Sequence, residues 1–206
     1  MSNILAVESQ GLSHETSDLE VSSLNSQWYA VFTMPRHEKR IVTHCRGRNI
    51  ESFLPLYHVR HRWKNRCNAT VELPLFPNYC FVHIGPQERG KVLRLPGVMY
   101  IVSSGRELLP IPDEYINSLR DGLLAYRIEP HPNVEAGDRV CITRGPMKGM
   151  EGILDRNKNG VRVIIRLEMI GRSVAVEVGA EEIAHAGAGR IKSALVDSYE
   201  FASGIA

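Results

Sequence analysis

The stretch GDRVCITRGPMKGMEG, residues 137–152, constrains the fold more than any other part of this chain. Glycines at 137, 145, 149 and 152 stand where tight turns must close without a Cβ. Val140 and Ile142, then Val161, Val163, Ile165 and Leu167, keep a period of two, as strands with one buried face do. Val174, Val176 and Val178 repeat the pattern. A helix would scatter these side chains around its circumference and put several in water. Each interior glycine would cost that helix up to roughly 1 kcal/mol. Residues 135–185 are therefore expected to form a small all-β barrel, and to remain one whatever precedes them.

The first half reads differently. Residues 28–33 form an apolar strand that runs into a basic helix starting at Pro35, a residue suited to a first helical turn, and ending near Gly47 or Asn49. Strands near 51–58 and 70–75 flank a charged loop, HVRHRWKNR, and 79–84 is another apolar strand. A short helix over 87–95 is stopped by Pro96-Gly97, a strand covers 98–102, and Pro112-Asp113 opens a helix reaching about Ala125. The order describes an α+β domain over residues 27–126, an antiparallel sheet with flanking helices. EPHPNVEAG, with two prolines and no apolar period, reads as the connection, with residues 127–134 as linker. Residues 1–26, with four acidic residues and no lysine or arginine, read as a disordered acidic tail. Residues 186–206 read as a second tail, either frayed or with a short helix around 191–196.

Charge is distributed unevenly. Residues 27–130 carry 15 basic against 9 acidic side chains, whereas residues 131–185 balance at 8 and 8. The positive field belongs to the first domain, and a basic surface of this kind attracts nucleic acid through counterion release. No run of about 18 apolar residues is present to span a bilayer, and the N-terminus lacks the regions of a signal peptide, so no membrane role and a cytoplasmic location are expected. Four cysteines, at 45, 67, 80 and 141, form no CxxC pair and suit reduced thiols. His58, His61 and Cys67 lack a fourth ligand, so no metal is expected. GPMKGMEG lacks the Lys-Ser or Lys-Thr ending of a phosphate loop, and neither a nucleophile elbow nor an HExxH helix occurs. The pattern excludes the common enzyme classes and calls for no cofactor.

Gly137, Asp138, Val140, Gly145, Pro146, Gly149 and Gly152 follow the spacing of the KOW motif, and Trp28, Tyr29, Phe76, Pro77 and Tyr79 match the first domain of the NusG family. With both domains in order, the chain resembles NusG-like transcription elongation and antitermination factors. PRHEKR, FLPLY at 53–57, LFPNYCFV at 75–82 and PGV at 96–98 are similar to the specialised paralogues of the RfaH or UpxY kind. The resemblance implies a monomeric factor that binds RNA polymerase through its first domain, touches the DNA of the transcription complex, and recruits a small-subunit ribosomal protein or Rho through its KOW domain. The rival expectation is a ribosome-associated or RNA-binding KOW protein. Against it stands the neutral second domain, since RNA-scaffold proteins are usually basic throughout.

Three sets of side chains carry these expectations. Tyr79 and Phe81, two apart on one strand face, with Val98, Ile116 and Leu119, match the family's polymerase-binding positions; taken alone, each pair also suits a core. His37, Arg40, His44 and Arg48 fall on one helical stripe, flanked by Arg36 and Lys39, and the family's helix here faces nucleic acid; by charge pattern alone the stripe is a solvated face. In the charged loop, Arg62 and Lys64 beside Trp63 combine phosphate-binding cations with a stacking ring, or solubilise a hairpin. Met169, Ile170, Gly171 and Arg172 form a hairpin tip that the resemblance assigns to partner binding, the alternative being a tip packed on its own barrel.

Overall fold

A computed structural model describes residues 26–62, 68–132, 137–157 and 160–186. The calls for residues 1–25, Trp63, Lys64 and the C-terminal tail beyond 186 lie outside the described residues, as does the side chain of Arg62.

The first sheet has five antiparallel strands. β1 (Gln27–Thr33) lies at its centre, between β5 (Tyr79–Ile84) and β6 (Val98–Ile101); β2 (Glu51–Phe53) pairs with β5, and β9 (Pro110–Ile111) also pairs with β1. Both central strands read as nearly unbroken apolar runs because both of their faces are buried. Tyr29, Val31, Cys80, Val82, Ile84 and Ile101 point to one face, where they meet Ile41 and Cys45 of helix α1 (Glu38–Arg46) and Val92 of helix α2 (Arg89–Leu93). Trp28, Ala30, Tyr79 and Phe81 point to the other, where Ile116 and Leu119 of helix α3 (Asp113–Ala125) pack.

Three local expectations change. Helix α1 begins at Glu38 and not at Pro35, because Arg36 adopts φ 64 and breaks the helical path. HVRHR belongs to strand β3 (Leu56–Arg62), paired with β4 (Asn68–Pro74) from Leu56↔Pro74 to Arg62↔Asn68. This two-stranded ribbon stands apart from the larger sheets, so no buried face imposes the apolar alternation that marks a strand. A tight pair, β7 (Ser103–Ser104) with β8 (Glu107–Leu108), precedes β9 and is too short to leave a period.

The second sheet has six antiparallel strands in the order β10-β14-β13-β12-β11-β15. These are β10 (Ile128–His131), β11 (Arg139–Ile142), β12 (Glu151–Asn157), β13 (Gly160–Leu167), β14 (Arg172–Val178) and β15 (Ile183–His185). Val163, Ile165, Val174 and Val176 enter the core cluster as the period of two predicts, while Ile164 and Ala175 between them are buried on the other face. β10 falls inside the expected linker; it is an edge strand along β14, where Pro130 sits without disturbing a central ladder. No helix of the described residues is long and apolar enough to cross a membrane.

Candidate functional site

Strand register builds a row of rings on the α3 side of the first sheet. Phe32 lies opposite Tyr79 on one neighbour and Tyr100 on the other. Its ring meets Tyr79 edge-on at 5.1 Å and stacks on Tyr100 at 4.9 Å, geometries favoured by ring quadrupoles. The row runs from buried to open: Tyr79 is 8% exposed and Tyr100 48%. Beside Tyr100, Phe32 pairs with residue 100 but Thr33 pairs with residue 98, so Met99 is the extra residue of a β-bulge and stands 53% exposed. Met34 adds a third exposed apolar side chain at the end of β1.

Tyr79, Phe81, Ile116 and Leu119 come together in one buried apolar cluster, the arrangement of a core. Val98 does not: the bulge turns it against the opposite cluster, with α1 and α2. Phe81 is fully enclosed between Phe53 and Phe76, at ring distances of 6.2 and 6.0 Å, so it is core in this arrangement.

The cluster around Tyr79 and Phe81 also contains Val140, Ile142, Val163 and Val174 of the second sheet and Met147 from the connection between β11 and β12, which together cover this side of the molecule. The covering is anchored at the end of α3. Met147 is buried against Gly122; a Cβ there would fall 2.6 Å from the Met147 sulfur. The Tyr126 hydroxyl donates to Glu182 Oε1 at 3.0 Å, and Glu182 also accepts, through its carbonyl, the Thr143 N–H at 2.7 Å. Gly145, at φ 77, passes so close to the Tyr126 hydroxyl that a side chain there would collide with it. Burial, followed by its neighbour Tyr100, pushes the Tyr79 phenol above its usual range, while the Arg172 charge pulls the other way.

The expected partner-binding tip is more enclosed than its sequence suggests. Ile170 is buried and Met169 packs against the shared cluster, within a 3-10 turn that Gly171 ends at φ 59. Arg172 alone of the four is exposed.

On the opposite side, the basic residues of α1 divide. Arg40 is exposed, as is Arg48, which lies beyond the helix and its C-cap Gly47, whereas His44 turns inward, with its Nε2 enclosed and unpartnered. Lys39 leaves the stripe for the ribbon, donating to the Glu72 carbonyl at 3.2 Å and pairing with its carboxylate at 3.8 Å. Arg36 is exposed on the turn before the helix, and His37 occupies the N-cap position, where its ring Nδ1 lies 3.0 Å from the Pro35 carbonyl. Glu38 is buried and accepts the Asn78 N–H at 2.8 Å, fixing the turn that leads into Tyr79.

Sequence reasoning missed Phe32, Met99 and Tyr100 as members of the ring-bearing surface. Phe32 shares the period of two with Trp28 and was open to detection; Met99 depends on a bulge that no sequence period records.

Residues 26–120 match the family described as "NusG: Transcription termination factor nusG". Two curated relatives, both transcription termination/antitermination proteins NusG, are from Streptomyces griseus and Streptomyces galbus. The first is 24% identical over 80% of this chain and 66% of its own length; the second is 24% identical over 80% and 61%. The chain thus spans just under two thirds of the length of these relatives. A solved structure described as "Domain interaction in Thermotoga maritima NusG" superposes with TM-score 0.52 at 21% identity, covering 79% of this chain and 98% of that one, a likeness of fold.

Proposed function

We propose that this chain, which is NusG-like in its family match, its relatives and its fold, is a transcription termination/antitermination factor acting by adhesion and not by catalysis. Its first domain, residues 27–126, binds RNA polymerase, and the basic side of that domain contacts the DNA of the transcription complex. Its second domain, residues 135–185, is a KOW barrel that recruits a further protein, a small-subunit ribosomal protein or Rho. The motifs near Pro35, Leu75 and Pro96 favour a specialised paralogue within the family.

The observation that carries the reading is the ring row Tyr79–Phe32–Tyr100, whose open end is bordered by Met99 and Met34. Aromatic and methionine side chains are enriched at protein interfaces, and an exposed group of them on a sheet edge is a docking rim. While the second sheet stays in place, this rim is what polymerase meets; Tyr79 and Phe81 lie behind it. The rival reading as an RNA-scaffold protein is weakened by the second sheet, where Arg139 pairs with Glu151 at 3.3 Å and Arg162 with Glu177 at 2.7 Å. Those cations are already engaged.

The test is a polymerase-binding titration with Met99→Ala/Tyr100→Ala. Both side chains are about half exposed, so the variant should stay folded with a modest fall in thermal stability from the lost Tyr100–Phe32 stack, while affinity should fall at least tenfold, on the scale of an interface anchor. Undiminished affinity in the folded variant would remove the rim from the interface. Phe81→Ala is a poor probe, because emptying that site costs about 3–5 kcal/mol of stability by itself.

A further inference from the structure

The β3–β4 ribbon belongs to neither large sheet, and its register tells which backbone groups its two outer edges present. Leu75 N–H donates to the Pro55 carbonyl at 2.8 Å, just beyond the Leu56↔Pro74 pair. Bonded and non-bonded pairs alternate along an antiparallel ladder, so Tyr57↔Leu73 and Val59↔Val71 hold the ribbon together. The backbone groups of His58, Arg60, Thr70 and Glu72 then point outward. Two features of β4 agree with this phase. Pro74, which has no N–H to give, occupies an outward position, and the Glu72 carbonyl reaches out of the ribbon to accept Lys39 Nζ at 3.2 Å.

The two outer edges differ in what meets them. That of β4 is met by α1 through Lys39. That of β3 has no strand beside it, and the N–H and C=O groups of His58 and Arg60 take no partner among the described residues. It opens on a cleft of about 650 Å³, lined by His58, Val59 and Arg60 with Thr70, and by Arg127 and Glu129 around the start of β10. Three successive residues line one cleft where a strand presents its edge, because a face shows every second side chain.

Side chains add selectivity. Register puts Tyr57, Val59, Val71 and Leu73 on one face of the ribbon and His58, Arg60, Thr70 and Glu72 on the other. The first face has little cover beyond Tyr57: Leu73 is 40% exposed. On the second, Arg60 is exposed and has no ion pair among the described residues. Glu72 is shared between Lys39 at 3.8 Å and His58 at 3.4 Å, while Glu129 is taken by Arg127 at 2.8 Å. Neither carboxylate is left over for Arg60.

We propose that the outer edge of β3 is a docking site for an extended segment of a partner protein, which adds a third strand to the ribbon and alternates apolar with acidic residues. Backbone pairing to His58 and Arg60 supplies affinity, and the period of two sets the segment's apolar side chains beside Val59 and its carboxylates beside His58 and Arg60. A two-stranded ribbon is marginal by itself, and a third strand is what such a sheet lacks. A second copy of this chain is the poorer occupant, since pairing β3 with β3 brings the cationic faces together, and like charges across strands are destabilising. The site shares no residue with the ring row and stands whether or not the polymerase reading holds.

The test uses the full chain and three synthetic peptides: one alternating valine with glutamate, one alternating valine with lysine, and one with the first peptide's composition in two blocks. Fluorescence anisotropy gives affinity, and NMR hydrogen exchange reads the His58 and Arg60 amides. The alternating glutamate peptide should bind about tenfold or more tighter than the other two and slow exchange at both amides, and Arg60→Ala should remove most of that preference. His58→Pro, which deletes an outward N–H and spares the ladder, should weaken binding by a similar factor. No binding of the glutamate peptide, equal binding of all three, or binding without protection of the two amides would overturn the docking site. Protection that grows with protein concentration in the absence of peptide would give the edge to a second copy and overturn the partner. The Val71 and Leu73 signals check that the ribbon persists; where His58→Pro disturbs them, Arg60→Ala decides alone.

Discussion

The two faces of the first sheet are covered in different ways. One is closed by α1 and α2, helices threaded between the strands they cover, with every contributor to that cluster lying between residues 29 and 108. The other is closed by α3 and by a second sheet whose first strand starts only at Ile128. Both covers bury comparable side chains, yet they differ in kind. The first cover cannot leave without unfolding the strands, whereas the second is joined through one short passage after Tyr126 and has a hydrogen-bonded ladder of its own. Side-chain chemistry follows this division: the exposed Arg40 sits on the first cover, and the ring row lies at the edge of the second.

The largest test of this contrast is Ile41→Ala on α1, where the side chain is fully buried. It should cost about 2–5 kcal/mol of global stability in urea unfolding, with the whole first sheet lost in one transition. A cost well under about 1 kcal/mol would mean that α1 is as dispensable as the second cover. Gly122→Leu should behave differently. It raises helix propensity by up to about 1 kcal/mol but fills the space of Met147, and overpacking of this kind costs about 1–3 kcal/mol. Both sheets should stay folded while the second moves away, seen as a larger hydrodynamic radius and shifted ring signals of Tyr79 and Tyr100. An unchanged radius and unshifted rings would show that the cover is held elsewhere.

Smaller effects sharpen the comparison. Tyr126→Phe removes the donor to Glu182 and should weaken the second cover by about 0.5–1.5 kcal/mol, leaving the urea midpoint of the first sheet in place; a fall in that midpoint would tie the two covers together. Alkaline pH should act on the same contact. Burial first, then the bond to Glu182 and its charge, raise the Tyr126 phenol above its ordinary value. Because the folded value lies above the unfolded one, this contribution is complete below about pH 10 and is lost as pH rises through the folded value. The wild type should therefore loosen more steeply above pH 10 than Tyr126→Phe does, and parallel curves would refute the assignment.

Much of the architecture is written in local chemistry. Val161 to Val178 spelled out strands through a period of two, and Pro112-Asp113 marked the start of α3 to the residue. What escaped notice depends on partners distant in sequence. β10 looked like linker because Ile128 is a single buried residue at an edge, and HVRHR looked like a loop because its strand has no core to face. Among the candidate site residues, Tyr79, Phe81, Ile116 and Leu119 were legible as apolar positions on regular elements. Val98 lies in the opposite cluster because of the bulge at Met99, of which no sequence period gives a sign, and the inward turn of His44 leaves no mark in the helical period either.

Gly122 and Met147 make one further demand, on inheritance. A hole in one segment matched to a knob in another ties two stretches of gene that could otherwise be exchanged freely. A recombinant taking its first domain from one ancestor and its second from another would keep both folds, but it would lose their mutual fit wherever either position had drifted. Changes at these two sites should therefore be accepted together or not at all. The two halves of the protein fit each other at this point, so neither should be replaced alone.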